Sequence, residues 1–208
     1  MKEFIDEAKM LQNLKHPNIV QYFGIYKNNE NNQFYIVTEF MNKGSLLNLL
    51  QENIGNFNSS QLLDFCKQAC NGMIYLESQN IIHRDLACRN LLVSSLNNDN
   101  NNLDQDSSFV VKIADFGMSR VLENHYYTTS SNMIPIKWSA PEVLEKRTFS
   151  SKSDIWSFGI VMWEIFSFGT EPYPNMTNKE VFEKVLNEDY RLKNPSKNHC
   201  SNEIYEIM

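Results

Sequence analysis

The chain has 208 residues, of which 42% are hydrophobic and 21% charged, and its formal net charge is −6. These values are ordinary for globular proteins and exclude a wholly disordered, collagen-like or coiled-coil chain. The acidic balance predicts no binding to nucleic acid or to anionic membranes, because both need a basic surface. Four irregularly spaced cysteines favour reduced thiols and a cytoplasmic location over a disulfide scaffold.

The first 40 residues predict a helix followed by a β-hairpin. Apolar residues between Phe4 and Leu14 recur at helical spacing, and Pro17 ends this pattern. Residues 19–26 and 33–38 are rich in β-branched and aromatic side chains, and a polar turn separates them. This arrangement predicts two paired strands.

Helical periodicity takes over from Ser45 onward. An apolar stripe runs through residues 62–76 at the spacing of one helix face. Two short apolar stretches, 91–93 and 109–113, predict a second strand pair. The Asn-rich stretch at 97–102 between them is interpreted as a solvated loop, because it has nothing to bury.

Beyond Asp115 the sequence predicts only loops and helices. The most apolar run, residues 155–166, contains Glu164 and is far shorter than the ~18 residues that a membrane span needs. It therefore predicts a buried core helix, and no membrane segment is expected in this chain.

Three short motifs follow one another along the chain. Residues 83–90 read His-Arg-Asp-Leu-Ala-Cys-Arg-Asn, an Asp-Phe-Gly triplet begins 25 residues later at Asp115, and residues 140–142 read Ala-Pro-Glu. Each motif alone is weak, but this order, with short strands after the first and before the second, matches the protein-kinase motif set. From about Phe4 to Met208 the sequence resembles the eukaryotic protein kinase family, and within it the tyrosine kinases.

The resemblance implies an α+β, two-lobe fold. Residues 1–38 match a remnant of the small lobe, 39–45 the hinge and 46–208 the mainly helical large lobe. No Gly-rich phosphate-covering loop and no strand with a phosphate-binding lysine are found before the first helix. We therefore expect a kinase domain that is truncated at both ends and inactive on its own.

The first motif carries the residue types that phosphoryl transfer needs. Transfer from ATP requires a carboxylate that orients the attacking hydroxyl and accepts its proton, and Asp85 fits this role. It also requires Mg²⁺, which prefers oxygen ligands. By resemblance, Asn90 and Asp115 supply these metal ligands.

The choice of acceptor hydroxyl depends on the residues beside Asp85. Serine/threonine kinases generally carry a lysine two residues after the catalytic aspartate, where this chain has Ala87. The cation is found instead at Arg89, as in tyrosine kinases, and residues 135–138 resemble the wall against which a substrate ring rests. The resemblance thus implies transfer to tyrosines of protein substrates.

The resemblance also implies an ATP site between the lobes. By its match, the backbones of Glu39 and Met41 hydrogen-bond the adenine edge, Thr38 guards a back pocket and Leu92 lies under the ring. Glu7, on the first helix, matches the glutamate that forms an ion pair with the phosphate-binding lysine, and it is counted among the catalytic residues.

Other matched residues imply regulation and packing. Tyr126 and Tyr127 lie between the second and third motifs, where a phosphate could pair with Arg84 and order the loop. By resemblance, a packing stack includes His83, Phe116, Leu11 and Tyr22. Asp154 is expected to hydrogen-bond the backbone at the start of the first motif.

Two alternatives to a protein-tyrosine kinase stay open at this point. The first is a tyrosine-kinase-like serine/threonine or dual-specificity kinase. The second is a non-catalytic, kinase-like scaffold that binds partners, which the absent lysine and glycine loop favour. Intact Asp85, Arg89, Asn90 and Asp115 favour the enzyme.

Overall fold

The structure is a computed structural model that describes residues 2–95, 108–122, 126–129 and 134–208. Within these ranges the α-helices are α1 (Lys2–Asn13), α2 (Leu46–Glu52), α3 (Ser59–Ser78), α4 (Pro141–Lys146), α5 (Ser151–Phe166), α6 (Asn178–Asn187) and α7 (Asn202–Ile207). The strands are β1 (Tyr22–Asn28), β2 (Gln33–Thr38), β3 (Ile81–Ile82), β4 (Leu91–Ser95), β5 (Phe109–Ile113), β6 (Arg120–Val121), β7 (Tyr127–Thr128) and β8 (Thr148–Phe149). Single 3₁₀ turns form at Cys88–Asn90 and Ile136–Trp138.

The first helix and the hairpin are as predicted, except where the hairpin begins. β1 and β2 pair antiparallel, with Tyr26 opposite Tyr35. The pairing starts at Tyr22, because Ile19 instead forms a parallel bridge with Ile113 of β5. Ile19 is 1% exposed. Its burial on β5 removes more apolar surface from water than an exposed hairpin strand would, so the predicted start at residue 19 is wrong.

The predicted stripe of residues 62–76 forms the buried face of α3. This helix begins at a capping box in which the Asn58 side chain accepts from Gln61 N and the Gln61 side chain accepts from Asn58 N. Its buried members are Leu62, Phe65, Cys66, Ala69, Gly72 and Leu76. They join the main core cluster, to which α5 and β5 also contribute.

The second strand pair is confirmed and sets the register of the site. β4 and β5 are antiparallel, with Leu91 opposite Ile113. The pairing continues past the strands, because Ala114 N donates to Asn90 O at 2.9 Å. Asn90 and Asp115 are therefore brought to one end of this sheet. The Asn-rich loop at 97–102 lies outside the described residues.

The prediction of only loops and helices beyond Asp115 is wrong at three places. β6 pairs with β3, β7 pairs with β8, and each of these strands has two residues. Pairings this short have no period-2 pattern, so sequence periodicity cannot reveal them. The β7–β8 pair places Tyr127 opposite Phe149.

Helix α5 is the predicted buried helix, and it lies behind the site. A capping box between Ser150 and Ser153 starts it. Its buried residues include Asp154, Ser157 and Glu164 beside the apolar ones. Buried polar groups need partners, and those of α5 are found in the site residues described below. None of the described helices is both long and apolar enough to cross a membrane.

Candidate active site

Helix α5 anchors the loop that carries the first motif. Asp154 Oδ2 accepts from His83 N at 2.7 Å, and Asp154 Oδ1 accepts from Arg84 N at 3.0 Å. Burial raises the pKa of Asp154, and the charge of His83 and these backbone hydrogen bonds oppose the rise. Arg84 has a φ of 72°, a left-handed conformation that costs free energy in a non-glycine residue. The predicted contact of Asp154 is confirmed, and it holds this strained turn.

Asp85 is held by two neighbours from its own loop. Arg89 forms an ion pair with Asp85 Oδ1. Asn90 Nδ2 donates to Asp85 Oδ2 at 2.9 Å and to the Asp85 carbonyl at 2.7 Å. Both carboxylate oxygens therefore have a donor, so the group is oriented in advance of any reaction. Such a carboxylate can accept a hydrogen bond from a hydroxyl and take its proton.

His83 and Phe116 pack as expected. The His83 side chain is fully buried, and its Nε2 lies 3.1 Å from the Ala114 carbonyl oxygen. Its ring meets the Phe116 ring edge-on, with 5.3 Å between the centroids. Phe116 belongs to the same core cluster as Leu11 of α1, and Tyr22 packs against that cluster. This packing places the backbone of the second motif next to the loop of the first.

Asp115 and Glu7 face one another at the end of the β4–β5 pair. A Cβ atom at Gly117 would lie 3.4 Å from Asp115 Oδ1 and 3.7 Å from Glu7 Oε2, so both carboxylates lie beside Gly117. Burial raises the pKa of Glu7, and the charge of Asp115 raises it further. Asp115 itself is exposed and has a φ of 60°. This end of the sheet is therefore an accessible site of negative charge, which suits a cation.

The donors at this end of the sheet fit Mg²⁺. The Asn90 amide nitrogen is committed to Asp85, which leaves the amide oxygen of Asn90 for a cation. The Asp115 carboxylate provides a second hard oxygen ligand. Across the described part of the chain, no group of three or more His, Cys, Asp and Glu residues could hold a metal. A cation at Asn90 and Asp115 would thus take its other ligands from phosphate and water, as Mg²⁺ commonly does.

An ion pair that the sequence interpretation missed fixes the side chain of Glu39. Lys112 Nζ of β5 lies 2.7 and 2.8 Å from the two Glu39 carboxylate oxygens. Glu39 Oε1 also accepts from Gln21 N at 2.7 Å, and Glu39 N donates to Gln21 O at 2.9 Å. The Glu39 backbone group that could meet an adenine edge is therefore its carbonyl.

The remaining residues predicted for nucleotide binding lie along the segment from β2 to β4. Thr38 ends β2, and its hydroxyl donates to the Glu39 carbonyl at 3.4 Å. Met41 is buried, and its carbonyl accepts from Gly44 N at 3.1 Å. Ser45 forms an antiparallel β-bridge with Leu92 of β4, and Leu92 is half-buried. The structure thus places the segment that follows Met41 beside β4, while the role of these residues in binding ATP stays a prediction.

Trp138 closes the other side of Arg89. The guanidinium carbon of Arg89 lies 4.5 Å from the centroid of a Trp138 ring. Ser157 Oγ of α5 donates to the Trp138 carbonyl at 2.8 Å, which fixes the backbone of this 3₁₀ turn. A planar cation stacked on an indole and paired with Asp85 places a guanidinium and an aromatic ring beside the carboxylate.

The two candidate phosphorylation residues have different environments. Tyr126 is 62% exposed. Tyr127 is half-buried, and the guanidinium carbon of Arg84 lies 4.5 Å from its ring centroid. Arg84 stacks at the same distance, 4.5 Å, on Phe149 of β8. Of these two tyrosines, Tyr127 is the one that contacts Arg84 in the described residues.

The fold and the site together define a protein-kinase domain, and the family comparison agrees with this. Residues 1–208 match the model of the family described as "Protein tyrosine and serine/threonine kinase". The chain therefore belongs to that family.

Its similar relatives include three proteins with tyrosine kinase names. The Drosophila melanogaster protein "Tyrosine-protein kinase Btk" is 46% identical over 211 residues, which cover 99% of this chain and 24% of that protein. The Homo sapiens protein "Tyrosine-protein kinase TXK" is 45% identical over 208 residues, or 100% of this chain and 36% of that protein. The Mus musculus protein "Cytoplasmic tyrosine-protein kinase BMX" is 44% identical over 99% of this chain and 29% of that protein. The chain thus spans about a third or less of the length of these curated relatives.

Proposed function

We propose that this chain is the main part of the catalytic domain of a protein-tyrosine kinase, which transfers the γ-phosphoryl group of ATP to tyrosine hydroxyls of proteins. One observation carries the proposal: Asp85 is held by Arg89 and Asn90, and Arg89 is in turn stacked on Trp138. This arrangement joins a proton acceptor to a cation and to a flat aromatic surface. The relatives named as tyrosine-protein kinases support the same conclusion.

Asp85 is the proposed base. The tyrosine hydroxyl donates a hydrogen bond to the Asp85 carboxylate, which orients the phenol oxygen and takes its proton. The new bond between the phenol oxygen and the γ-phosphorus forms as the bond from that phosphorus to the bridging oxygen of ATP breaks, and ADP leaves. Phosphoryl transfer depends almost entirely on position and charge stabilisation, so the two donors that fix Asp85 act directly on the barrier. Glu7 is proposed to form an ion pair with a lysine that contacts the phosphates.

Asn90 and Asp115 are the proposed Mg²⁺ ligands. When bound, Mg²⁺ neutralises charge on the phosphates. The amide oxygen of Asn90 and the Asp115 carboxylate are hard ligands at one end of the β4–β5 pair. For the nucleotide, we propose that the Glu39 carbonyl and the Met41 backbone bind the adenine edge, with Thr38 and Leu92 lining that pocket.

The residues around Asp85 favour a tyrosine over a serine acceptor. Ala87 is fully buried and carries no cation, and Arg89 is the cation that contacts Asp85. Arg89 lies against the Trp138 ring, and a flat surface of this kind matches a phenol better than a short aliphatic hydroxyl. These contacts support tyrosine specificity over the serine/threonine and dual-specificity alternatives.

The acceptor amino acid tests the proposal. The protein expressed from its complete gene is incubated with ATP, Mg²⁺ and three peptides that differ only in a central Tyr, Ser or Thr. We expect phosphate on the tyrosine peptide in large excess. Predominant phosphoserine would favour the serine/threonine alternative. No transfer to any of the three peptides would favour the non-catalytic scaffold.

A further inference from the structure

A buried carboxylate behind the site has no part in the transfer as proposed above. Glu164 interrupts the apolar run of α5, and only 2% of the residue is exposed. Burial raises the pKa of Glu164, and hydrogen bonds from Trp138 and Cys88 oppose the rise. An apolar residue here would avoid the cost of burying a carboxylate, so its partners indicate what it does.

Two hydrogen bonds to the Glu164 side chain end on a single oxygen. Trp138 Nε1 donates to Glu164 Oε2 at 2.8 Å, and Cys88 N donates to the same oxygen at 3.1 Å. Cys88 opens the 3₁₀ turn that carries Arg89, whereas Trp138 closes the 3₁₀ turn before α4. One buried atom of α5 therefore ties together two segments that lie 50 residues apart, at 88 and 138.

Trp138 is the link between this carboxylate and the site. Ser157 lies seven residues before Glu164 on α5, and its hydroxyl donates to the Trp138 carbonyl at 2.8 Å. The backbone and the indole of Trp138 are thus held from one face of the same helix. One face of the indole carries the guanidinium of Arg89, whose carbon lies 4.5 Å from the ring centroid.

We propose that Glu164 is a positioning residue for transfer to tyrosine. It holds the edge of the Trp138 indole, and the indole keeps Arg89 against Asp85. Glu164 is too deeply buried to contact a protein substrate itself. The inference rests on the proposed function, since Arg89 and Asp85 act there on the acceptor. Loss of such positioning affects the reaction steeply, with about 10²-fold in rate for an error of ~1 Å.

Two variants separate the effect of the Trp138–Glu164 hydrogen bond from the effects of the other atoms of these two side chains. Trp138→Phe keeps an aromatic ring for Arg89 but has no N–H for Glu164. Glu164→Gln is the matched control, because its amide oxygen can accept both hydrogen bonds without the negative charge. Each protein, expressed from the complete gene, is assayed for kcat and KM with a tyrosine peptide, and its urea midpoint of unfolding is measured.

We expect Trp138→Phe to lower kcat for the peptide about tenfold, since one hydrogen bond to a charged group is lost. Glu164→Gln should stay within about threefold of the wild type, and both variants should remain folded under the assay conditions. Wild-type kcat in Trp138→Phe would overturn the inference. So would a loss of peptide transfer that is accompanied by unfolding under the assay conditions, because that would indicate a general loss of structure.

A second measurement does not depend on activity. In the protein expressed from its complete gene with ¹⁵N-labelled tryptophan, the Trp138 indole signal is the one that disappears in Trp138→Phe. Its N–H should exchange slowly with solvent, and about tenfold faster or more in Glu164→Leu, where the acceptor is gone. Fast exchange in the wild type would overturn the role of Glu164. A wild type without tyrosine transfer but with this slow signal would instead overturn the proposed function.

Discussion

The guanidinium carbon of Arg84 lies 4.5 Å from the ring centroid of Tyr127 and 4.5 Å from that of Phe149. Arg84 Nη1 donates to the Met118 carbonyl at 3.0 Å, while Arg84 Nε is buried without a hydrogen-bond partner in the described residues. Burial alone would raise the pKa of Tyr127, but a hydrogen bond from Arg120 and the charge of Arg84 lower it overall. Two arginines thus face one phenol.

A phosphate on Tyr127 should therefore attract Arg84 and Arg120 and stabilise the active arrangement. It would add a charge of about −1.5 to −2 beside Arg84 and Arg120. We expect the protein expressed from its complete gene to gain activity during incubation with ATP, and Tyr127→Phe to lose this gain. Tyr126→Phe is the matched control, because Tyr126 is 62% exposed and adjacent in sequence. The measurement is the time course of peptide phosphorylation, together with the phosphorylated position. An unchanged time course in Tyr127→Phe would remove this role.

Gly72 should not tolerate even a methyl group. A Cβ atom there would lie 2.7 Å from Ile113 Cδ1 and 2.8 Å from the Asn18 carbonyl oxygen. Glycine to alanine inside a helix ordinarily stabilises by about 1 kcal/mol, but overpacking costs about 1–3 kcal/mol. We expect Gly72→Ala to lower the urea midpoint of unfolding, whereas the exposed neighbour Asn71→Ala should leave it unchanged or raise it. A raised midpoint in Gly72→Ala would contradict the close packing of α3 on β5.

Replacement of Asp115 should weaken the binding of Mg²⁺. Asp115→Asn replaces an anionic oxygen ligand with a neutral one of similar size, and Mg²⁺ binds the neutral oxygen less strongly. We expect the Mg²⁺ concentration for half-maximal transfer to rise about tenfold or more. Glu145→Gln on α4 removes one exposed charge far along the chain and serves as the control. Equal Mg²⁺ curves for Asp115→Asn and the wild type would exclude Asp115 as a ligand.

The sequence alone is sufficient to predict the elements that have a long hydrophobic period. α3 and α5 are examples, because each buries many residues at helical spacing. It does not predict the start of the hairpin, since Ile19 pairs with a strand that lies 94 residues further on, at Ile113. Tertiary pairing of this kind has no local signal.

The candidate site shows the same division. The first motif and Asp115 are found by their order and residue types, without any structure. The Glu39–Lys112 ion pair joins residues 73 positions apart, and the Trp138–Glu164 hydrogen bond joins residues 26 apart. One signal was available for Glu164: a single carboxylate within the apolar run of a core helix. A charge in such a position indicates a specific partner, although the sequence does not show which one.

Asp85→Asn tests the central proposal most directly. The substitution removes the proton acceptor but keeps one side-chain oxygen for Arg89, and Asn90 can still donate to the main-chain carbonyl of residue 85, so the loop should be preserved. The measurement is single-turnover phosphorylation of a tyrosine peptide by the protein expressed from its complete gene, with ATP affinity determined separately. We predict that the rate falls by about 10²–10⁴, the range for loss of a general base, while ATP affinity stays within about threefold. Near-normal turnover in Asp85→Asn would contradict the account.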